Sequence, residues 1–145
     1  VNREQLASLI TPQTIMRLHK EASDRYGGDP TQRSQDIECA DGRIGSAGNA
    51  AAYCAEGDED MGLILVAYLL YYLAKDHCFV DGNKRVAWLA AVETLKNLQL
   101  TLNVSTEDAY AFMIDLSSEG STITASDVAV WLAERLEDVV GEPVN

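Results

Sequence analysis

Ile15, Leu18, Ala22 and Tyr26 recur on one face at helical spacing, behind Thr11-Pro12 and ahead of Gly27-Gly28. Thr is a favoured N-cap, Pro a favoured first helical residue and Gly a common stop, so this block predicts a first helix. A second block, about Glu59 to Lys75, carries Leu63, Ile64, Val66, Leu69, Leu70 and Leu73 on several faces rather than one. A helix that is apolar nearly all round is normally buried, which puts this one at the centre of the fold. From about Asn83, the residues Ala87, Trp88, Ala91, Leu95 and Leu98 form a further stripe and predict a helix packed on the central one.

Between these blocks the pattern weakens. Gly27 to Gly45 is polar, rich in Gly and Asp, and nearly free of large apolar residues, which predicts a long loop or flap. Ser46 is placed to cap a short helix through Ala55, with Glu56-Gly57-Asp58 as the break before the central helix. Leu100, Leu102 and Val104 alternate, fitting a very short strand or an extended lead-in. Ser105 or Thr106 before Glu107-Asp108 opens a helix to about Ser118, and Ser126-Asp127 opens a last one to about Val139. No internal repeat or low-complexity segment is present. The chain therefore reads as one domain over 1–145 and as an all-α bundle.

Composition narrows the class. At 145 residues, 47% hydrophobic and 23% charged, the chain is long enough to bury a core and ordinary for a soluble globular domain. Its net charge of −12, from 23 acidic and 11 basic residues, disfavours direct nucleic-acid binding and suits solubility or a basic partner. Met61 to Ala74 is too short and too Tyr-rich for a membrane span, and the polar Val1-Asn2-Arg3-Glu4 opening does not read as a signal peptide. Three cysteines, Cys39, Cys54 and Cys78, cannot all pair within the chain and lack Cys-x-x-Cys spacing. That argues against a disulfide framework or zinc site and for a reducing cytoplasm. Only His19 and His77 are available as histidines, too few for a His-rich metal centre. His19 lies beside the first apolar stripe, where a packed, hydrogen-bonded ring is expected. Tyr68, Tyr71 and Tyr72 are expected to serve core and rim packing.

The candidate chemistry sits in His77-Cys78-Phe79-Val80-Asp81-Gly82-Asn83-Lys84-Arg85, at the predicted start of a helix. Asp81-Gly82 supplies turn chemistry, letting the chain reverse and re-enter a helix at about Asn83. A helix N-terminus offers unpaired N–H groups and partial positive charge to a phosphate. Lys84 adds a point charge and Arg85 a bidentate fork, both suited to phosphate oxygens. Asp81 is a hard oxygen ligand of the kind Mg²⁺ takes, and the His77 imidazole can accept a proton from a hydroxyl. An ordinary solvated connection capped by Asp81 or Asn83 is the plain alternative, and it does not explain the order of the residues.

That order resembles the signature of the Fic/Doc family, His-x-Phe-x-Asp/Glu-Gly/Ala-Asn-Gly/Lys-Arg, with every fixed position matched. Arg25-Tyr26-Gly27-Gly28 and Gly42-Arg43-Ile44-Gly45-Ser46-Ala47 extend the likeness along the chain, as weaker motifs. The resemblance implies a Fic/Doc-type helical bundle in which residues 29–44 form a flap over the active-site loop, 77–85, and dock the protein substrate. In the Fic branch, which transfers AMP, Gly usually follows the Asn and a second Arg stands three residues after the first. Here those positions are Lys84 and Trp88, which points to the Doc (death-on-curing) branch of toxin-antitoxin toxins. The implied reaction moves the γ-phosphate of ATP to a protein hydroxyl, with elongation factor Tu as the family's known target.

By position, the resemblance makes His77 the general base and Asp81 the Mg²⁺ ligand. Phe79 anchors the loop, Gly82 and Asn83 present donors to phosphate, and Lys84 and Arg85 neutralise transferring charge. Cys78 occupies a spacer position where Pro is common in the family. The family's internal inhibitory motif, Ser/Thr-x-x-x-Glu-Gly/Asn, is not matched, since Glu119-Gly120 has Asp115 and Glu56-Gly57 has Ala52 in the hydroxyl position. Restraint would then fall to a cognate antitoxin. Nucleotidyl transfer is the enzymatic alternative, and a non-catalytic helical binding module the alternative of another class.

Overall fold

In the computed structural model, which describes residues 2–139, the chain forms seven helices and a two-stranded ribbon among the described residues. Val1 and residues 140–145 lie outside them. The helices are α1 (Arg3–Leu6), α2 (Pro12–Tyr26), α3 (Ser34–Cys54), α4 (Asp58–Lys75), α5 (Asn83–Asn97), α6 (Thr106–Ser117) and α7 (Ala125–Ala133). The strands are β1 (Leu100–Leu102) and β2 (Leu136–Asp138). The fold is all-α, as the periodicity predicts.

α4 is the axis. Leu65, Val66, Leu69, Leu70 and Leu73 are fully buried on it, and α1, α3, α5, α6 and α7 all pack against it. A side chain at Gly62 has no room, because its Cβ would come within 2.8 Å of Leu98 Cδ1 at the end of α5. α2 follows its sequence signals closely. The Thr11 hydroxyl accepts from the Thr14 N–H at 3.2 Å, Ile15, Leu18 and Ala22 are buried, and the helix ends at Gly27 with φ +87°.

α3 departs from expectation. Residues 29–44 were expected as a flap and Ser46 as an N-cap, yet the helix starts at Ser34 and Ser46 lies well inside it. Only 29–33 remain non-helical. The buried face of α3 is built from Ala40, Ala47 and Ala51, residues too small to register as an apolar stripe, and they let α3 pack closely along α4. Its start is fastened by Asp36, fully buried, whose carboxylate accepts from the Arg33 N–H at 3.0 Å and from Arg33 Nε at 2.9 Å. A buried carboxylate bound twice to one arginine is satisfied where an unpaired one would be very costly.

The C-terminal part of the chain and the cysteines also differ from expectation. The last helix ends at Ala133 rather than near Val139, and Leu136–Asp138 pairs antiparallel with β1, Leu136 opposite Leu102 and Asp138 opposite Leu100. Arg135 makes the stop, donating from Nη1 to the Trp131 carbonyl at 3.0 Å and lying over the Trp131 ring. Cations are favoured at this end of a helix. The N-cap of α7 is Thr124, which shares a capping box with Asp127, rather than Ser126. The cysteine reading also fails. Cys39 and Cys78 are joined by a disulfide with Cα atoms 5.5 Å apart, leaving Cys54 free and exposed. An odd count forbids complete pairing, not one pair, and cysteines 39 residues apart meet only because α3 runs beside the end of α4. The cysteine count therefore gives no support for a reducing compartment. No helix among the described residues is long and apolar enough to cross a membrane.

Candidate active site

The segment from Asp76 to Gly82 joins α4 to α5, and its side chains divide between core and solvent. Cys78, Phe79 and Asn83 are buried, whereas His77, Val80, Asp81, Lys84 and Arg85 are exposed. His77 adopts φ +50°, an uncommon conformation for a residue with a Cβ, and this turns the chain out of α4. Gly82, at φ +78°, turns it back as the N-cap of α5. Cys78 and Phe79 between them dip into the core.

Asn83 closes the loop from inside. Its Nδ2 donates to the Phe79 carbonyl and its Oδ1 accepts from the Phe79 N–H, both at 2.9 Å. The amide expected from the resemblance to face phosphate thus holds the backbone of Phe79. The Phe79 ring stacks on His19 with centroids 4.0 Å apart and planes 10° from parallel. His19 is buried and fully hydrogen-bonded, in the role its place beside the α2 stripe predicts. Gln32 donates to the Met16 carbonyl at 2.9 Å, which orients its amide as a donor, so His19 Nδ1 accepts from it at 3.0 Å. His19 Nε2 must then carry the hydrogen, and it donates to the Asp81 carbonyl at 2.8 Å.

Residues 29–39 grip the same loop from the other side. The Asp29 N–H donates to Asp81 Oδ2 at 2.9 Å, Arg33 Nη2 donates to the Cys78 carbonyl at 3.1 Å, and Cys39 is bonded to Cys78. Arg43 adds an ion pair to Asp76 at 2.9 Å. Gly28 is needed for this approach. It has φ +101°, and a Cβ there would meet Asp81 Oδ2 at 2.9 Å. The region expected to dock a protein substrate thus also positions the loop. Asp29, Gln32 and Arg33 were not singled out from sequence, and the one local signal was the spacing of Arg33 and Asp36, which suits a helix start.

On the outer face the groups are free to act. Asp81 Oδ1 accepts from the Gly82 N–H at 2.8 Å, and the N–H groups of Asp29 and Gly82, with the charge of Arg85, hold its carboxyl below its ordinary range. Asp29 is likewise lowered, by hydrogen bonds from Thr31. α5 opens with Asn83, Lys84 and Arg85 and has no acid in its first turn and no side-chain cap, so positive charge gathers at its start. Arg85 rests over the Tyr26 ring, 4.7 Å from Cζ to centroid. Tyr26, Gly28, Asp29, Asp81, Gly82 and Arg85 line a cleft of about 250 Å³. The structure thus brings Asp81, Gly82 and Arg85 to one cleft and keeps Asn83 beneath it.

Residues 9–95 match the model of the Fic/DOC family, and no curated protein shows a significant match to the chain. The matched span covers well over half of the chain and takes in α2 through α5, hence the whole loop and its supports. The chain belongs to the Fic/DOC family, in general a family of transferases that act on proteins.

Proposed function

We propose, with membership of the Fic/DOC family as the premise, that this chain is a Doc-like toxin that transfers the γ-phosphate of ATP to a hydroxyl of a protein target. Elongation factor Tu in the cytoplasm is the proposed target, blocked translation the outcome, and a cognate antitoxin the restraint. The observation that carries this reading is the outer face of the loop: His77, Asp81, Lys84 and Arg85 exposed in the loop and first turn of α5, which has no side-chain cap. Lys84 stands where nucleotidyl-transferring members of the family have Gly. Trp88, where those members place a second Arg, is edge-on to Trp131 with centroids 6.2 Å apart and so serves packing.

In this reading His77 takes the proton of the target hydroxyl as its oxygen bonds to the γ-phosphorus, and the bond from that phosphorus to the β,γ-bridging oxygen breaks to release ADP. Lys84, Arg85, the Gly82 turn and the backbone N–H groups of α5 stabilise the charge that moves to the leaving phosphate. Asn83 contributes by keeping Phe79, and with it His77 and Asp81, in place. Asp81 fits a Mg²⁺ ion in chemistry, being an exposed carboxylate held ionised by its N–H partners. Among the described residues no cluster of three or more His, Cys, Asp or Glu side chains is placed to hold a metal, so Asp81 would share the ion with nucleotide phosphates. Bound there, the ion would neutralise phosphate charge.

Incubation with Mg-ATP and elongation factor Tu, followed by the intact mass of the target, tests the reading. Addition of a phosphoryl group supports it, and addition of a whole nucleotide replaces it with nucleotidyl transfer. A Lys84→Gly variant is expected to lose phosphorylation if Lys84 sets the direction of the nucleotide. Growth arrest that survives His77→Ala with folding intact would point instead to a non-catalytic binding module.

A further inference from the structure

Tyr26 ends α2 at the rim of the cleft, and the residue is 57% exposed, so burial in the core does not hold it there. Two cations lie over its ring. The Arg85 guanidinium lies 4.7 Å from the ring centroid and that of Arg25 5.6 Å. Among the described residues no carboxylate is within ion-pair distance of Arg85. Asp81, which shares the cleft, has its oxygens on the N–H groups of Asp29 and Gly82.

We infer that Tyr26 is a positioning residue for Arg85, its ring face holding the guanidinium over the cleft with the N–H edge left free for the phosphate oxygens of ATP. The inference rests on the phosphoryl-transfer reading only for the identity of the anion. A free arginine side chain samples many rotamers, and ordering it opposes binding. A carboxylate partner would order it too, but would occupy its donor fork and cancel its charge. An aromatic face attracts the cation through its quadrupole and does neither. The glycines that follow complete the placement. Gly27 and Gly28, at φ +87° and +101°, turn the chain sharply after Tyr26, so the same corner presents the ring to Arg85 and the Asp29 N–H to Asp81. Among the described residues the Tyr26 hydroxyl makes no hydrogen bond that would assign the role to its oxygen rather than its ring.

The test uses the full chain with Tyr26→Phe, Tyr26→Leu, Arg85→Gln and the Tyr26→Leu/Arg85→Gln pair. In the free proteins, side-chain NMR of Arg85 Nε–H is expected to show a ring-shifted, ordered resonance in wild type and Tyr26→Phe, and an unshifted, mobile one in Tyr26→Leu. Mg-ATP affinity is expected to fall about two- to fivefold in Tyr26→Leu, the scale of an exposed cation–π contact. It should hold in Tyr26→Phe, and Tyr26→Leu should add nothing in the Arg85→Gln background. An Arg85 as mobile in wild type as in Tyr26→Leu overturns the inference. So does an effect of Tyr26→Leu that persists in full without Arg85, or a Tyr26→Phe as weak as Tyr26→Leu. If Arg85 is ordered by Tyr26 but wild type does not bind Mg-ATP, the phosphoryl-transfer reading falls and the positioning role stands.

Discussion

On the inner face of the loop between α4 and α5, Cys78, Phe79 and Asn83 are buried, and each is held by a partner from α2, α3 or the loop itself. On the outer face, His77, Lys84 and Arg85 stand in solvent, and Asp81 has backbone N–H groups as its partners. The inner residues can be judged by stability, because removing any of them leaves a gap or an unpaired polar group. The outer residues can be judged by chemistry, because little in the fold depends on them. Two cations in the first turn of a helix, and a left-handed histidine in the loop before it, are poor choices for stability alone. Strain and unpaired charge of this kind gather where a ligand is expected, and the firm inner face is what keeps them in place.

The sharpest way to break this division is at His77. His77→Asn tolerates the left-handed backbone and should leave the unfolding midpoint unchanged, while transfer falls on the order of 10²–10⁴-fold as for loss of a general base. A large fall in stability without a fall in turnover would place His77 with the inner residues.

Reduction of Cys39–Cys78 acts on the other face. Freeing a link across 39 residues is expected to cost about 4 kcal/mol in the chain-entropy account, roughly a 10 °C drop in melting temperature for a chain of this size. Cys39→Ser should match the reduced protein in a thermal melt. Turnover per folded molecule is expected to persist, because Arg33 still binds the Cys78 carbonyl and Asn83 still holds Phe79. If that turnover collapses, the covalent link and not the hydrogen bonds sets the outer face.

Asn83→Ala would strand the Phe79 N–H and carbonyl inside the loop. Chemical denaturation should show a loss of about 2–4 kcal/mol, the desolvation cost of two buried backbone groups. A loss near zero would mean that water or a shifted loop replaces the amide easily, and the inner face would then be looser than its hydrogen bonds imply.

The smallest effect is expected at Asp81. Its carboxyl is lowered in the folded protein, so the stabilisation linked to it is present above the ordinary value of 3.8 and disappears as pH falls through the lower folded value. An NMR titration of the side-chain carbonyl should find its midpoint below 3.8. Gly28→Ala, whose Cβ would lie against Asp81 Oδ2, should move that midpoint back up. A midpoint at the ordinary value in the unaltered chain would show that the Asp29 and Gly82 N–H groups do not hold the carboxylate in solution.

Helices with strong signals could be read directly. Thr11-Pro12 and Gly27 bound α2, the all-round apolar pattern identifies α4 as central, and Ser105 opens α6. α3 was not legible, because its buried face is alanine and its remaining residues resemble those of a loop. β2 was hidden in an apolar run that is equally good helix, and only pairing with β1 decided its state. Of the candidate site, His77, Asp81, Lys84 and Arg85 stood out because chemistry-bearing residue types were adjacent in the chain. Gln32, Arg33, Asp29 and Tyr26 did not, since each acts on a residue 45 or more positions away or through another side chain.

The amino-acid sequence by itself determined an all-α chain with a central buried helix, and a loop whose residue order matches one family's signature. Such features are local, and they rest on periodicity, caps and turn chemistry within a few residues. Only the tertiary structure decided which loop residues face inward, that Cys39 and Cys78 are partners, and that residues 29–33 brace the site. The physical reason is that each of these depends on α3 lying against α4, a close approach permitted by alanines whose small size left no pattern along the chain.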